Sequence, residues 1–161
     1  LTLANSESHN FTSESLFKNA SNTWNNNSYQ RLYFWLKNRG LPIKNLQIAD
    51  ASGLSRNNKV TTNLIASFLH KMKFNNNYES YVSTLSIIGM RGTLANSLIN
   101  SKINGKFFGK TGTLSDVFAL SGYLKKNDKT YSVSIIQNSR LIDKNKIFNL
   151  LNDLYEIEGC E

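Results

Sequence analysis

The second half of the chain carries the pattern that most constrains its fold. It contains three strand-like segments rich in β-branched and aromatic residues, at 105–112, 117–125 and 130–137. The turn between the last two is an Asn127-Asp128 pair with lysines on both sides, as expected at the tip of a hairpin. The spacing predicts three strands of an antiparallel meander.

Helical periodicity flanks this meander on both sides. After it, residues 143–157 predict a helix with an apolar side formed by Ile147, Leu150, Leu151, Leu154 and Ile157. Before it, the pattern predicts helices over 10–22, 28–39, 61–73 and 93–99, a helix or loop over 79–86, and a strand over 45–50 that enters a turn at Ala51-Ser52-Gly53. The order indicates an α+β fold, with helices followed by a three-stranded antiparallel meander and a C-terminal helix, and not a doubly wound parallel sheet.

The chain of 161 residues is basic, with a formal net charge of +8. Its length fits one domain. The lysines are scattered, with no run longer than Lys125-Lys126, which favours a solvated basic surface over a nucleic-acid patch. We therefore expect no nucleic-acid partner, and a role in binding DNA or RNA would depend on the charge alone.

The sequence predicts neither a metal site nor a cofactor. Cys160 is the single cysteine, and His9 and His70 lie far apart without a carboxylate cluster between them. No apolar run is long enough to cross a bilayer. The first residues, Leu1-Thr2-Leu3, show no signal-peptide pattern.

The tetrapeptide Lys110-Thr111-Gly112-Thr113 at the end of the first predicted strand has the residue types of a site for a peptide carboxylate. An edge strand can pair with an extended peptide through main-chain hydrogen bonds. A lysine supplies a compact cation, and threonine hydroxyls add hydrogen bonds to a carboxylate. The glycine allows the peptide to approach the backbone closely. We expect Lys110 to act in catalysis and Thr111, Gly112 and Thr113 to bind substrate.

Three longer motifs extend this assignment. The chain reads GKTGTLSDVFALSGY over 109–123, GMRGTL over 89–94 and DASGLSR over 50–56. In this order they resemble the C-terminal part of penicillin-binding protein 4 type D-alanyl-D-alanine carboxypeptidases, the low-molecular-mass class C penicillin-binding proteins. The resemblance covers about residues 5–138 and implies part of a β-lactamase/transpeptidase-like domain. It also implies peptidoglycan stem peptides ending in D-Ala-D-Ala as substrate, β-lactams as inhibitors, and a periplasmic or other extracytoplasmic location.

The resemblance assigns two further residues near the N-terminus. Ser8-His9-Asn10 matches the Ser-x-Asn motif of the family, and Glu14 follows it in the expected frame. The family then implies that Ser8 shuttles a proton and that Asn10 contacts the substrate amide. On the residues alone, Ser8 or Asn10 could equally be the N-cap of a helix. His9 is interpreted as a variable position of the motif.

The nucleophile motif of the family, Ser-x-x-Lys, is matched literally only at Ser15-Leu16-Phe17-Lys18. We do not assign Ser15 as the nucleophile, because chance matches are expected in a chain this rich in Ser and Lys. The family nucleophile also lies well upstream of Ser-x-Asn. We expect residues 1–161 to be the C-terminal portion of one such domain, without its nucleophile segment, and to be inactive alone.

Other positions receive structural interpretations. Asp50 and Arg56 are expected to form a turn and its partner, and Trp24 and Trp35 to lie in a core or an interface. Arg91 stands where the family has an Asp, which puts a local hydrogen bond or ion pair in doubt. The alternative function is a binding module that holds a D-Ala terminus without turnover. A meander without partner strands should also expose an unpaired edge and an apolar face.

Overall fold

A computed structural model describes residues 1–20 and 27–157. The helices are α1 (Thr2–Asn5), α2 (Asn10–Asn19), α3 (Asn27–Asn38), α4 (Thr62–Met72), α5 (Tyr78–Ser83) and α6 (Lys144–Glu156). The strands are β1 (Ser86–Ile87), β2 (Phe107–Leu114), β3 (Val117–Lys126) and β4 (Lys129–Asn138), and a 3-10 turn spans Gly92–Leu94. The α+β class and the terminal helix are confirmed.

One antiparallel sheet contains the predicted meander in the order β1-β2-β3-β4. Lys126 pairs with Lys129 across a turn in which Asn127 has a φ of 51°, a left-handed conformation that Asn tolerates. The sheet has a fourth strand that was not predicted, because β1 contributes only two residues and carries no period of its own.

The two faces of the sheet pack against different helices. Phe118, Leu120 and Leu124 of β3 join Ile147 and Leu151 of α6 in the largest buried cluster. On the opposite face, Tyr123 packs with residues of α4 and α5 and donates a hydrogen bond to the carbonyl of Leu69 at 3.0 Å. Side chains alternate along β3 between these two cores, as the pleat of a strand requires.

Local signals placed the longest helices well. The hydroxyl of Thr61 caps α4 by accepting from the Leu64 amide at 3.1 Å, and Asp143 caps α6 through the amide of Lys146. The predicted helix over 28–39 is α3. Of the helix predicted over 10–22, the structure has Asn10–Asn19. The alternatives left open over 79–86 are resolved as α5 followed by β1.

Two predicted elements are wrong. Residues 45–50 form no strand, only a single bridge between Gln47 and Lys59, and Asn45 has a φ of 63° that interrupts an extended chain. Residues 93–99 form no helix beyond the 3-10 turn, because Leu98 adopts a φ of 53°. Both failures come from left-handed backbone at residues other than glycine, which the apolar pattern does not reveal.

Several apolar side chains of the predicted helices lie at the surface. Phe11 is 74% exposed on α2, and Leu150 and Leu154 on α6 and Ile157 directly after it are exposed, while Ile147 and Leu151 are buried. Trp35 is exposed on α3, with the guanidinium of Arg39 stacked 3.7 Å from its ring centre. Trp24 and Cys160 lie outside the described residues.

Candidate active site

Lys110 is the centre of the candidate site. It lies on β2 on the same face as Ser121 of β3 and Ser134 of β4, which are its successive cross-strand neighbours. Its ammonium group donates to the Ser8 hydroxyl at 2.6 Å and to the Thr111 carbonyl at 2.5 Å. Burial lowers the pKa of Lys110, because the charged form loses solvation there. The structure thus brings Ser8 and Lys110 together.

Ser8 reaches Lys110 from a strained loop between α1 and α2. Its φ is 58°, a left-handed value that costs a residue other than glycine about 1–2 kcal/mol. The flanking backbone is fixed, since the His9 amide donates to the Leu3 carbonyl at 3.1 Å and the Thr93 amide to the Ser6 carbonyl at 3.1 Å. Strain held in this way by surrounding contacts is typical of functional positions.

The GMRGTL segment packs beneath this loop. The buried Ser86 hydroxyl donates to the Ser6 carbonyl at 3.0 Å and lies 3.2 Å from the Thr93 hydroxyl. Thr93 in turn accepts from the Thr111 hydroxyl at 2.9 Å. This polar network joins the Ser8 loop to β2. Residue-by-residue reasoning missed Ser6, Ser86 and Thr93, although the GTL motif pointed to their location.

Gly92 makes this packing possible. It has a φ of 66°, and a Cβ there would lie 2.3 Å from the Ser6 hydroxyl oxygen and 2.6 Å from the Ser6 carbonyl oxygen. Any larger residue would push the loop that presents Ser8 away from Lys110. A glycine is therefore required at this position of the motif so that the Ser8 loop can pack close to β2.

The outer edge of β2 is open along the tetrapeptide. β1 pairs with Phe108 and Gly109, and within the described residues no strand pairs with β2 on that side beyond Gly109. The Phe107 carbonyl accepts from the Ile88 amide on this edge, so the backbone groups of Thr111 and Thr113 point the same way by alternation. An extended peptide could pair here.

Gly112 and Thr113 are exposed and line a cleft of about 830 Å³ between β2–β4 and the loop of residues 53–60. Arg56 spans this region by contacting Asp116 in an ion pair and by donating to the Ser115 hydroxyl at 2.6 Å. The interpretation of Arg56 as the partner of the Asp50 turn is therefore wrong. Arg56 instead joins its loop to the β2–β3 turn.

Asp50 organises that loop by itself. Its carboxylate accepts from the amides of Gly53 at 2.6 Å and Ser55 at 2.5 Å and from the Asn58 side chain at 2.9 Å. Burial acts to raise the pKa of Asp50, but these hydrogen bonds outweigh it and leave the pKa lowered. The carboxylate is structural, as the sequence interpretation of Asp50 held.

The remaining N-terminal residues lie on α2. Asn10 is its first residue and is exposed, while the N-cap is His9, whose ring nitrogen Nδ1 accepts from the Thr12 amide at 3.3 Å. Neither Ser8 nor Asn10 caps this helix. Ser15 and Lys18 lie one turn apart further along the same helix.

Arg91 replaces the expected acidic residue with a different contact. Its guanidinium donates to the carbonyls of Ser83 at 2.6 Å and Leu85 at 2.5 Å. It thereby satisfies carbonyl groups at the end of α5, just before β1. His70 lies in the last turn of α4.

Within residues 1–20 and 27–157, no group of three His, Cys, Asp or Glu side chains is placed to hold a metal ion. In the same part of the chain, no helix is both long and apolar enough to cross a membrane.

Comparison with known families decides the assignment. The sequence profile of the D-Ala-D-Ala carboxypeptidase 3 (S13) family matches residues 1–156. The chain belongs to this S13 family. Its resemblance to penicillin-binding protein 4 type carboxypeptidases is confirmed, and the family is one of serine-type carboxypeptidases.

Two relatives support the S13 assignment. A D-alanyl-D-alanine carboxypeptidase of Actinomadura sp. (strain R39) is 32% identical over 108 residues, which are 64% of this chain and 20% of that protein. The D-alanyl-D-alanine carboxypeptidase DacB of Haemophilus influenzae is 31% identical over 104 residues, covering 63% and 22% respectively. The matched part is thus about a fifth of the length of these relatives.

Solved structures agree with the fold. Penicillin binding protein 4 (dacB) from Haemophilus influenzae, complexed with a β-lactam, superposes with a TM-score of 0.83 and 25% identity over 97% of this chain and 41% of that one. The Bd3459 predatory endopeptidase from Bdellovibrio bacteriovorus gives a TM-score of 0.79 at 13% identity, over 98% and 45%. At that identity the second likeness concerns the fold alone.

Proposed function

We propose that this S13 chain forms the substrate-binding half of a serine-type D-alanyl-D-alanine carboxypeptidase or endopeptidase acting on peptidoglycan peptides. The observation that carries the proposal is the open edge of β2 at Lys110–Thr113, with the Lys110 ammonium held 2.6 Å from the Ser8 hydroxyl. A peptide ending in D-Ala-D-Ala adds to this edge as a strand. Its terminal carboxylate meets the Lys110 cation and the hydroxyls of Thr111 and Thr113.

The proposed chemistry proceeds through an acyl-serine intermediate. A serine hydroxyl attacks the carbonyl between the two D-Ala residues, the terminal D-Ala leaves with a proton, and water then releases the enzyme. Ser8 relays a proton with Lys110, whose lowered pKa favours proton transfer. Asn10 holds the substrate amide. The outward amide of Thr113 stabilises the oxyanion, a donor whose loss typically costs about two to three orders of magnitude in rate.

The nucleophile is assigned to no residue of this chain. Ser15 is followed by Lys18 one helical turn later, but both lie on α2, whereas the contacts of Lys110 are with Ser8 and Thr111. We therefore propose that residues 1–161 are inactive alone and belong to one penicillin-binding domain that acts outside the cytoplasm, in the periplasm of a cell that has one.

The alternative is a module that binds D-Ala termini or β-lactams without turnover. The same open edge and the same Lys110 cation favour it, because both serve binding before any covalent step. The two candidates differ only in whether a serine is acylated.

A fluorescent penicillin separates the two candidates. It is incubated with this chain and with the full-length gene product, and covalent labelling is followed on a denaturing gel. We expect labelling of the full-length product and none of this chain. Labelling of this chain at Ser15, located by peptide mass mapping, would contradict the assignment. Reversible binding by a full-length product that is never labelled would establish the binding module.

A further inference from the structure

One carboxylate connects α2, which begins at Asn10 directly after the Ser8 loop, to the DASGLSR loop. Glu14 of α2 accepts two backbone hydrogen bonds on the same oxygen, Oε1, from the amides of Ala51 and Ser52, each at 2.8 Å. These residues are 37 and 38 positions away in sequence. Hydrogen bonds from amides to a carboxylate are stronger than bonds between neutral groups. Glu14 therefore fixes this loop against α2.

The loop connects α2 to the opposite side of the site. From Ala51 onward it is kept rigid by the Asp50 carboxylate, which accepts from Gly53, Ser55 and Asn58. At its far end, Arg56 contacts Asp116 and the Ser115 hydroxyl in the β2–β3 turn, immediately after Thr113 and Leu114.

These contacts form a closed circuit that begins and ends on β2. One half runs from Ser8 along α2 to Glu14, through the loop to Arg56, and on to the end of β2. The other half is the direct contact between Lys110 and Ser8. The Ser8–Lys110 end and the Thr113 end of the site are thus joined by two separate routes, of which the longer one depends on Glu14.

We infer that Glu14 is a positioning residue that sets the distance between α2, with Ser8 and Asn10, and the Thr113 end of the substrate-binding edge. The inference depends on the proposed function, because the distance matters only if a peptide lies between these two walls. We assign Glu14 no contact with substrate. It acts through Ala51, Ser52 and Arg56.

Removal of Glu14 leaves the loop attached by other contacts. The Tyr29 hydroxyl of α3 donates to the Ala49 carbonyl at 2.9 Å, and at the other end of the loop Arg56 contacts Asp116 and the Ser115 hydroxyl. The Tyr29 ring also packs 5.0 Å from that of Phe17. The effect of a Glu14 substitution is therefore a displaced loop in a folded chain, which makes the inference testable in this protein.

The experiment compares the unmodified chain with Glu14→Ala, Glu14→Gln and Glu79→Gln by NMR. Glu79 is exposed on α5, so its substitution controls for the loss of one negative charge. Amide hydrogen exchange is measured first, and each protein is then titrated with an N-acylated peptide ending in D-Ala-D-Ala. Unfolding midpoints are recorded for all four proteins.

In Glu14→Ala, the Ala51 and Ser52 amides should exchange about tenfold faster, the equivalent of ~1.4 kcal/mol, and the peptide Kd should rise about tenfold. Glu14→Gln keeps an acceptor oxygen and should limit the rise in Kd to about threefold. Glu79→Gln should change neither quantity. A purely structural role for Glu14 would lower the unfolding midpoint without changing the peptide affinity of the folded protein.

The outcomes separate the inference from the proposed function. Equal peptide affinity and equal exchange in Glu14→Ala and the unmodified chain overturn the inference. If the unmodified chain does not bind the peptide, the proposed function fails at that point. The exchange rates of the amides of 112–116 then decide: faster exchange there in Glu14→Ala supports positioning, and faster exchange confined to Ala51 and Ser52, or no change, overturns it.

Discussion

The Lys110 ammonium and the Ser8 hydroxyl meet at 2.6 Å although 102 positions separate them in sequence. Ser8 makes this contact with a left-handed backbone. Two substitutions can therefore distinguish the contribution of the hydroxyl to stability from the cost of the strained backbone. Ser8→Ala removes only the hydroxyl, whereas Ser8→Gly also relieves the strain. After the extra entropy of unfolded glycine is subtracted, Ser8→Gly should be more stable than Ser8→Ala by about 0.5–1 kcal/mol. Urea unfolding of both variants measures this, and an equal or lower stability of Ser8→Gly would contradict the strained conformation.

Because of Lys110, the free energy of unfolding should change with pH in the alkaline range. Burial lowers its pKa in the folded chain, so between that value and the ordinary lysine pKa of about 10.4 the unfolded chain binds more protons. Stability contributed by this group therefore rises with pH through that interval and is constant below it. We expect Lys110→Met to lack this component when urea unfolding is repeated across the alkaline range. The same slope in both proteins would place the titration elsewhere.

The close approach at Gly92 predicts a large effect of a single methyl group. Gly92→Ala combines a left-handed φ with contacts of 2.3–2.6 Å to Ser6 and Ser86, and should cost about 2–3 kcal/mol of folding stability. Gly40→Ala is the matched control, because Gly40 has a φ of 63° and nothing within 4 Å of an added Cβ. It should cost about 1 kcal/mol. Thermal and urea unfolding measure the stability of both variants. An equal loss of stability in the two would mean that the Ser8 loop shifts to accommodate the methyl group at little cost.

The hydrogen bond of Tyr123 allows a test of the core beneath the sheet. Its buried hydroxyl donates to the Leu69 carbonyl, and burial, with the nearby Tyr81 and Tyr78, raises the pKa of Tyr123. Tyr123→Phe removes this hydrogen bond, while the Lys73 amide still donates to the same carbonyl at 3.3 Å, and should destabilise the fold by about 0.5–1.5 kcal/mol. Tyr131→Phe, at an exposed position, should be nearly neutral. The two are compared by urea unfolding.

The outer face of α6 and the edge of β4 predict self-association of this chain. Leu154 is 40% exposed, and β4 is the last strand of the sheet. We expect sedimentation velocity to show a mass that grows with protein concentration, and Leu154→Glu to reduce it. Asn149→Glu adds the same charge at an exposed position that is not apolar. A monomer at every concentration would contradict the expectation of an exposed apolar face.

The predictable parts of the fold have strong local signals. β3 and β4 follow from alternation and the Asn127 turn, and α4 follows from the Thr61 cap and its apolar side. β1 could not be predicted, because its two residues acquire their conformation from pairing with β2. The helix expected over 93–99 failed since backbone geometry at Leu98 is decided by packing and not by its own propensity.

The residues of the site also differ in how well the sequence predicts them. The Lys110–Thr113 motif fixed residue types and an edge position, and the family resemblance brought Ser8 into the same site. The contacts of Glu14 with Ala51 and of Ser86 with Ser6 join residues 37 and 80 positions apart and have no signature in spacing. The pairing of Asp50 with Arg56 was predicted because the two residues are close in sequence, and it is wrong because the partner of Arg56 is Asp116.

The shortness of β1 has a consequence for any peptide that joins the sheet. α5 ends at Ser83 and the chain enters the sheet only at Ser86, opposite Gly109. The two-residue strand therefore acts as an end stop: Ser86 and Ile87 already occupy the edge at Gly109 and Phe108, so an incoming strand can pair with β2 only from Lys110 onward. Register along the edge is limited by the backbone before any side chain of the ligand is recognised.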